Sequence, residues 1–345
     1  MSISSFKPFI TRRDMDSMLT CLVSEKIENG NTGRVFASEL GRYLGTEEGF
    51  LLKEYYRALE IIFSSLELEK DSVVIVSPLA PFYYKKAIDK HGYKIEFADI
   101  DPDTACISPV SILEIMNKMG ECVKAVVADS PLGFVPEIEK ISETGLIVIE
   151  DISTLLGGEA SGRKCGSFGS YTVLNLGIDK IITAAGGTYI SCRTRKEREN
   201  LKKSVEELSP DILLPDVNSA LGYSQLGSLE KNINLRKEIA ELYGQALMKS
   251  RYKTLTQKNE YKNINYSFPV LIDGSSIREL KKYASKKKIE ICRGFTDSIM
   301  DRSGTKGSRC PEAEKLIMKC ILFPLYPNMG KKNAETVLKV LNTLP

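Results

Sequence analysis

The chain has 345 residues, 42% of them hydrophobic and 27% charged, an ordinary balance for a globular protein with one large core and a smaller one. A formal net charge of +3 is too small to point to nucleic acid, and no apolar run is long enough to span a bilayer. A single histidine, His91, and eight scattered cysteines with no C-x-x-C pair argue against a histidine triad, a multi-histidine metal site, a zinc knuckle and a disulfide framework.

In chain order, MSISSFKPFITRR has no apolar signal core, so the cytoplasm is the expected compartment. Residues 14–69 read as helical, broken by NGNTG at 29–33. From about residue 70 to 192 short β-branched runs alternate with amphipathic ones. VVIVS (73–77), IEFAD (95–99), VKAVVAD (123–129), LIVIED (146–151), YTVLNL (171–176) and GTYISC (187–192) predict strands buried on both faces. Phe82–Lys90, Val110–Met119 and Pro136–Ser142 predict the helices between them. That alternation predicts an α/β fold with a mostly parallel central sheet sandwiched by helices.

Leu213 to about Met248 reads as one long helix. Beyond it, YSFPVLI (266–272), Ser276–Lys287, IEIC (289–292), Pro311–Cys320 and Asn333–Leu341 form a small α+β unit. The expected division is therefore a large domain over 1–212 and, over 213–345, the linking helix with a small C-terminal domain.

In an open parallel sheet, ligands bind beyond the carboxyl ends of the strands. Here those ends carry Ser77, Asp99, Asp129, Asp151 and the stretch Asn175–Lys180. A single aspartate there most often caps the next helix. No G-x-G-x-x-G opens a helix and no P-loop is present, which excludes the usual dinucleotide and nucleoside-triphosphate cradles. A metal hydrolase built on Asp99, Asp129 and Asp151 lacks clustered ligand spacing, and no metal is expected.

Four blocks then occur in a specific order. IEFADIDPDTACISP (95–109), LIVIEDISTLLGGEASGRKCGSFGSYTVLNLGIDKIITAAGG (146–187), VNSALGYSQLGSLEKNINLRKEIAELYGQAL (217–247) and EAEKLIMKCILFPLYPNMGKKNAETVLKVL (312–341) resemble the DegT/DnrJ/StrS family of sugar aminotransferases. The resemblance runs with gaps from about residue 8 to the end. It implies a fold-type I pyridoxal-phosphate (PLP) transferase, an amino donor and a keto-sugar nucleotide as substrates, and a homodimer.

By position, Asp151 matches the aspartate that pairs with the cofactor's pyridine nitrogen. Lys180 matches the Schiff-base lysine, because GSFGSYTVLNLGIDK fits the family's "GslGdvgcFSFfptK" without a gap. Asn175 replaces the phosphate-binding serine of "FSF", and Thr154 stands where the family has Gln or His. The family's Ser-Gly-Thr phosphate turn is here Glu54-Tyr55-Tyr56, a change that brings a repelling carboxylate and removes a glycine. Tyr55, Tyr56 and Asn175, with Lys53 as a candidate cation, are the expected replacements for that turn. The stacking aromatic falls near Pro81, with Phe82 and Tyr83 adjacent; the Asn and Arg that reach the partner subunit fall near Asp211 and Leu213. Two readings stay open at this point: a divergent aminotransferase, or an aminotransferase-fold protein that binds a partner or a sugar without the cofactor. Arg293, Cys292 and Cys310 read as structural.

Overall fold

The computed structural model describes residues 2–25, 27–47, 49–248, 250–274, 276–304 and 309–345. In chain order it contains α1 (Arg12–Val23), α2 (Asn31–Leu44), β1 (Phe50–Leu52), α3 (Tyr55–Ser65), β2 (Val73–Val76), α4 (Phe82–Lys90), β3 (Lys94–Phe97), α5 (Pro109–Met119) and β4 (Val123–Asp129). Next come α6 (Ile138–Ser142), β5 (Ile147–Asp151), the short β6 (Glu159–Ala160) and β7 (Arg163–Lys164), β8 (Tyr171–Asn175), β9 (Thr188–Cys192) and α7 (Arg195–Glu206). The remainder is α8 (Asp216–Leu226), α9 (Leu229–Leu247), β10 (Tyr261–Lys262), β11 (Phe268–Leu271), α10 (Ile277–Lys286), β12 (Cys292–Arg293), α11 (Ile299–Ser303), α12 (Pro311–Lys319), β13 (Cys320–Phe323) and α13 (Lys331–Leu341).

The central sheet has seven strands in the order β1-β9-β8-β5-β4-β2-β3. Pairings from β3 through to β8 are parallel, and β9 and β1 are added antiparallel at one edge. The mostly parallel α/β fold read from the sequence is the fold observed. Its reason is visible in β2, where all four residues of VVIV are buried: a strand covered by helices on both faces has no polar side. One face packs Phe36, Leu40, Val126 and Val148; the other packs Leu59, Phe63, Val74 and Ile149. Burying each such side chain stabilises the fold by about 1.5–3 kcal/mol before conformational entropy is counted. A third apolar cluster surrounds the antiparallel sheet β11-β13-β12 with α9, α10 and α13.

Two local expectations change. The stretch 14–69 contains, besides its helices, the edge strand β1, whose three residues pair with Thr188–Ile190 of β9. The single long helix is two, α8 and α9, separated at Gly227 and Ser228. They serve different partners: α8 packs on α1 and α2, whereas α9 packs on α13.

One buried side chain ties these parts together. Arg236 of α9, 2% exposed, donates to Asn232 Oδ1 (2.9 Å) and to the carbonyls of Tyr266 (2.8 Å) and Leu325 (3.1 Å). Asn232 in turn donates to the carbonyl of Ile181 at 2.8 Å. Burial alone lowers the Arg236 pKa, to about 10, so it stays cationic at neutral pH.

Candidate active site

Parallel strands in register send matched residues to the same face and end at the same edge. Asp129 closes β4 and Asp151 closes β5, and the two are register partners. Both line a cavity of about 400 Å³ at that edge, together with Tyr55, Ser153, Thr154, Asn175, Lys180 and Tyr266.

Asp151 is 3% exposed. Its Oδ1 accepts the Ser153 backbone N–H at 2.9 Å. Its Oδ2 accepts the Tyr84 hydroxyl at 2.8 Å and also the Tyr55 hydroxyl. Burial, and then the Asp151 charge, push both phenols well above the usual tyrosine range, so both remain donors. Among the described residues no lysine or arginine forms an ion pair with Asp151, so a buried carboxylate is held by neutral donors alone. Such a group is poised for a cationic N–H.

Ser153 Oγ accepts the Asn175 backbone N–H at 2.9 Å, joining the ends of β5 and β8. Asn175 Oδ1 accepts the Gly177 N–H at 2.7 Å and starts the turn that carries Lys180. That loop is closed at its neck. Leu176 donates to the Gly187 carbonyl (2.8 Å), and its own carbonyl accepts from Ala184 (3.0 Å) and Gly186 (3.3 Å). Gly187 sits at φ +98°, and a Cβ there would lie 2.6 Å from the Leu214 side chain, so the close neck requires glycine.

Lys180 Nζ pairs with Asp179 Oδ2 at 2.9 Å and lies 5.8 Å from the centre of the Tyr266 ring. The Tyr266 hydroxyl donates to the same Asp179 oxygen at 3.2 Å. Burial pulls the Lys180 pKa down, but Tyr266, Asp179 and Asp151 outweigh it and the net shift is upward. Lys180 is therefore an ammonium at neutral pH, half of an ion pair with Asp179.

Asp129 is 4% exposed and its Oδ1 has no hydrogen-bond partner. Burial first, and the neighbouring Asp151 second, raise its pKa to about 8. In the unfolded chain an aspartate ionises near ~3.9. The folded state thus holds a proton that the unfolded state releases between those values. Stability from this group is complete below the lower value and is lost as pH rises through the upper one. Asp129→Asn, which fixes the neutral form, is expected to raise the melting temperature over wild type far more at pH 9 than at pH 5. Equal effects at both pH values would show that Asp129 is ionised throughout.

Of the residues singled out in the sequence, Asp151, Thr154, Asn175, Lys180 and Tyr55 come together around the cavity. Thr154 donates to the Ser130 carbonyl. Tyr56 does not line the cavity; its ring leans on Tyr83, centroids 6.0 Å apart. Lys53 is exposed, Leu213 bridges Leu52 at the sheet edge, and Arg293 pairs with Asp301 at 2.8 Å. Residues that sequence reasoning left out are Tyr84, Ser153, Tyr266 and the mouth formed by Lys86, Asp297 and Arg302. Tyr84 shows only as one aromatic in the run Phe82-Tyr83-Tyr84, with nothing local to mark its contact with β5.

The solved aminotransferase TlmJ from Streptoalloteichus hindustanus superposes with a TM-score of 0.91 at 20% identity, over 99% of this chain and 98% of that one. The PLP-form of the putative sugar aminotransferase Spr1654 from Streptococcus pneumoniae does so with a TM-score of 0.89 at 19% identity, over 99% and 98%. A UDP-4-amino-4,6-dideoxy-N-acetyl-beta-L-altrosamine transaminase of Campylobacter jejuni is 26% identical over 282 residues, covering 76% of this chain and 74% of that protein. The profile of the DegT/DnrJ/EryC1/StrS aminotransferases matches residues 8–342. A family profile matched over nearly the whole length, on a fold shared with solved aminotransferases, leads to a plain conclusion: this chain belongs to the DegT/DnrJ/EryC1/StrS aminotransferase family.

Proposed function

We propose that the protein transfers an amino group from an amino acid to a keto-sugar carried on a nucleotide, with Lys180 and Asp151 as its central groups. The observation that carries this reading is the meeting of Lys180 and the buried carboxylate of Asp151, hydrogen-bonded by neutral donors, in one cavity at the carboxyl edge of the sheet. The donor's C–N bond becomes C=O, and the acceptor's C=O becomes CH–NH2.

The cofactor of this family is pyridoxal phosphate, and the residues fit it. Asp151 offers a buried anion to a protonated ring nitrogen. Lys180 offers a primary amine at the cavity wall. The N-terminus of α3 has no side-chain cap, and with Asn175 it can receive a phosphate. When bound, the cofactor supplies a carbon that condenses with amines and a ring that accepts electrons. The chain's own part is proton handling. Lys180 Nζ must shed its proton to act as a base; until then the ammonium is held by Asp179, 2.9 Å away, whose same oxygen also accepts the Tyr266 hydroxyl.

The test is direct. Protein loaded with PLP is given glutamate or glutamine and a panel of nucleotide-linked keto-hexoses, and the nucleotide pool is examined by mass spectrometry. An amino-sugar nucleotide is the expected product. Its absence across the panel, from folded and loaded protein, rejects the substrate class.

Two further parts of the reading concern assembly and compartment. A homodimer is supported by the apolar side chains that α1 leaves in solvent: Met15 is 50%, Leu19 55% and Val23 82% exposed. Sedimentation at a monomer mass would reject it. No helix of the described residues is long and apolar enough to cross a membrane. The cytoplasm is supported by the free thiols of Cys106, Cys122, Cys165, Cys192, Cys292 and Cys320, and fractionation of the source cells checks it.

A further inference from the structure

Asp151 already has partners where the cofactor would need it. A carboxylate oxygen has two lone pairs, and both on Oδ2 are taken, one by Tyr84 and one by Tyr55. The two phenols are not equivalent. Tyr84 lies in the first turn of α4, is 0% exposed, and does not line the cavity. Tyr55 is the first residue of α3, lines the cavity, and is only partly buried. Its ring meets Tyr83 and Tyr84 edge-on, with centroids 5.9 Å and 6.3 Å away. It also stands in the turn where the family resemblance places small phosphate-binding residues. Asp151 and Tyr55 line the same cavity, so a ring nitrogen that reaches the carboxylate from there meets an oxygen already bonded to the Tyr55 hydroxyl.

We propose that Tyr55 competes with the cofactor's ring nitrogen for Asp151 Oδ2 and is displaced when the cofactor binds, so that this one side chain sets the affinity of the site. The inference deepens the proposed function and rests on its assignment of Asp151. In the empty protein Tyr55 supplies the hydrogen bond that a buried carboxylate requires. In the loaded protein the ring N–H supplies it instead, and the phenol has to leave. Removing the Tyr55 hydroxyl therefore acts with opposite sign on the two states. The empty protein loses a donor to a buried charge, and the loaded protein loses its competitor.

The experiment uses pyridoxamine phosphate, which has no aldehyde, so its binding does not depend on condensation with Lys180. Dissociation constants are measured by calorimetry for the wild type, Tyr55→Phe, Tyr55→Ala and Tyr84→Phe, with the melting temperature of each cofactor-free protein alongside. The expected result is binding about ten- to a hundredfold tighter in Tyr55→Phe, the range for one hydrogen bond to a charged group. Tyr55→Ala, which also clears the ring, should bind at least as tightly. Both variants should melt below the wild type when empty. Tyr84→Phe should show no gain in affinity, because the position it vacates is not reached from the cavity. Equal or weaker binding in both Tyr55 variants, with measurable binding in the wild type, overturns the inference and leaves the proposed function standing. Absence of binding in all four folded proteins overturns the inference and the cofactor assignment of Asp151 together.

Discussion

Lys180→Ala is expected to lower kcat for amine transfer by about 10⁴-fold or more, the upper range for loss of a positioned acid–base group, with a larger loss where the same residue also bonds covalently. The mutation should leave the fold intact. Among the described residues Lys180 forms its ion pair with Asp179, their side chains 17% and 49% exposed, and losing such a half-exposed pair costs about 1 kcal/mol. The chemical check is borohydride reduction of PLP-loaded protein followed by peptide mass spectrometry. The wild type should carry reduced cofactor on Lys180 and the variant should carry none. The lysine with the best claim to compete is Lys86, which lines the mouth of the same cavity and lies 5.6 Å from the Phe82 ring centre. Label on Lys86 in the wild type would displace Lys180 from its role.

Asp151→Asn comes second in expected effect. An amide has nearly the shape of the carboxylate, so it keeps the Tyr84 and Ser153 contacts largely in place, but it cannot hold a positive charge on a ring nitrogen. A loss of about 10³-fold in kcat is expected, on the scale of removing one preorganised electrostatic partner. There is a second and independent readout. The Asp151 charge is one of the two causes that raise the Asp129 pKa, so neutralising it should lower the Asp129 pKa below its value of about 8. The pH at which that loss of stability is complete should move down with it, while its onset near the unfolded-chain value stays put. A variant with unchanged activity rules Asp151 out as the ring's partner, whatever happens to the titration.

The parts of this molecule that were legible in its sequence are those written in runs. VKAVVAD states its own strand and the position of its terminal carboxylate, and both are observed to the residue. The helix 82–90 is likewise found where the apolar spacing put it. The edge strand β1 was not legible because three residues, Phe-Leu-Leu, are too few to show a period. The break between α8 and α9 was not legible because glycine at 227 is compatible with either a continuous helix or its end, and only the different packing partners decide. At the site, Lys180 and Asp151 were singled out by the family resemblance, and both line the cavity. The contacts of Asp151 could not, since Tyr55 and Tyr84 come from separate helices and reach it across 96 and 67 positions of chain. Tyr55 drew attention as a replacement phosphate ligand, and the structure turns its hydroxyl on the carboxylate instead.

The buried arginine on α9 bears on how Lys180 can behave. Ile181, next to Lys180 in the chain, is held by Asn232, and Asn232 is held by Arg236, which also grips the carbonyls of Tyr266 and Leu325. The lysine's backbone is thereby fastened through one guanidinium to the segment leading into the C-terminal sheet, and its neck is fastened to the central one. Such a double anchorage ties the loop to both sheets. What keeps the most freedom there is the four-carbon stem of the lysine side chain, which carries Nζ on a fixed backbone.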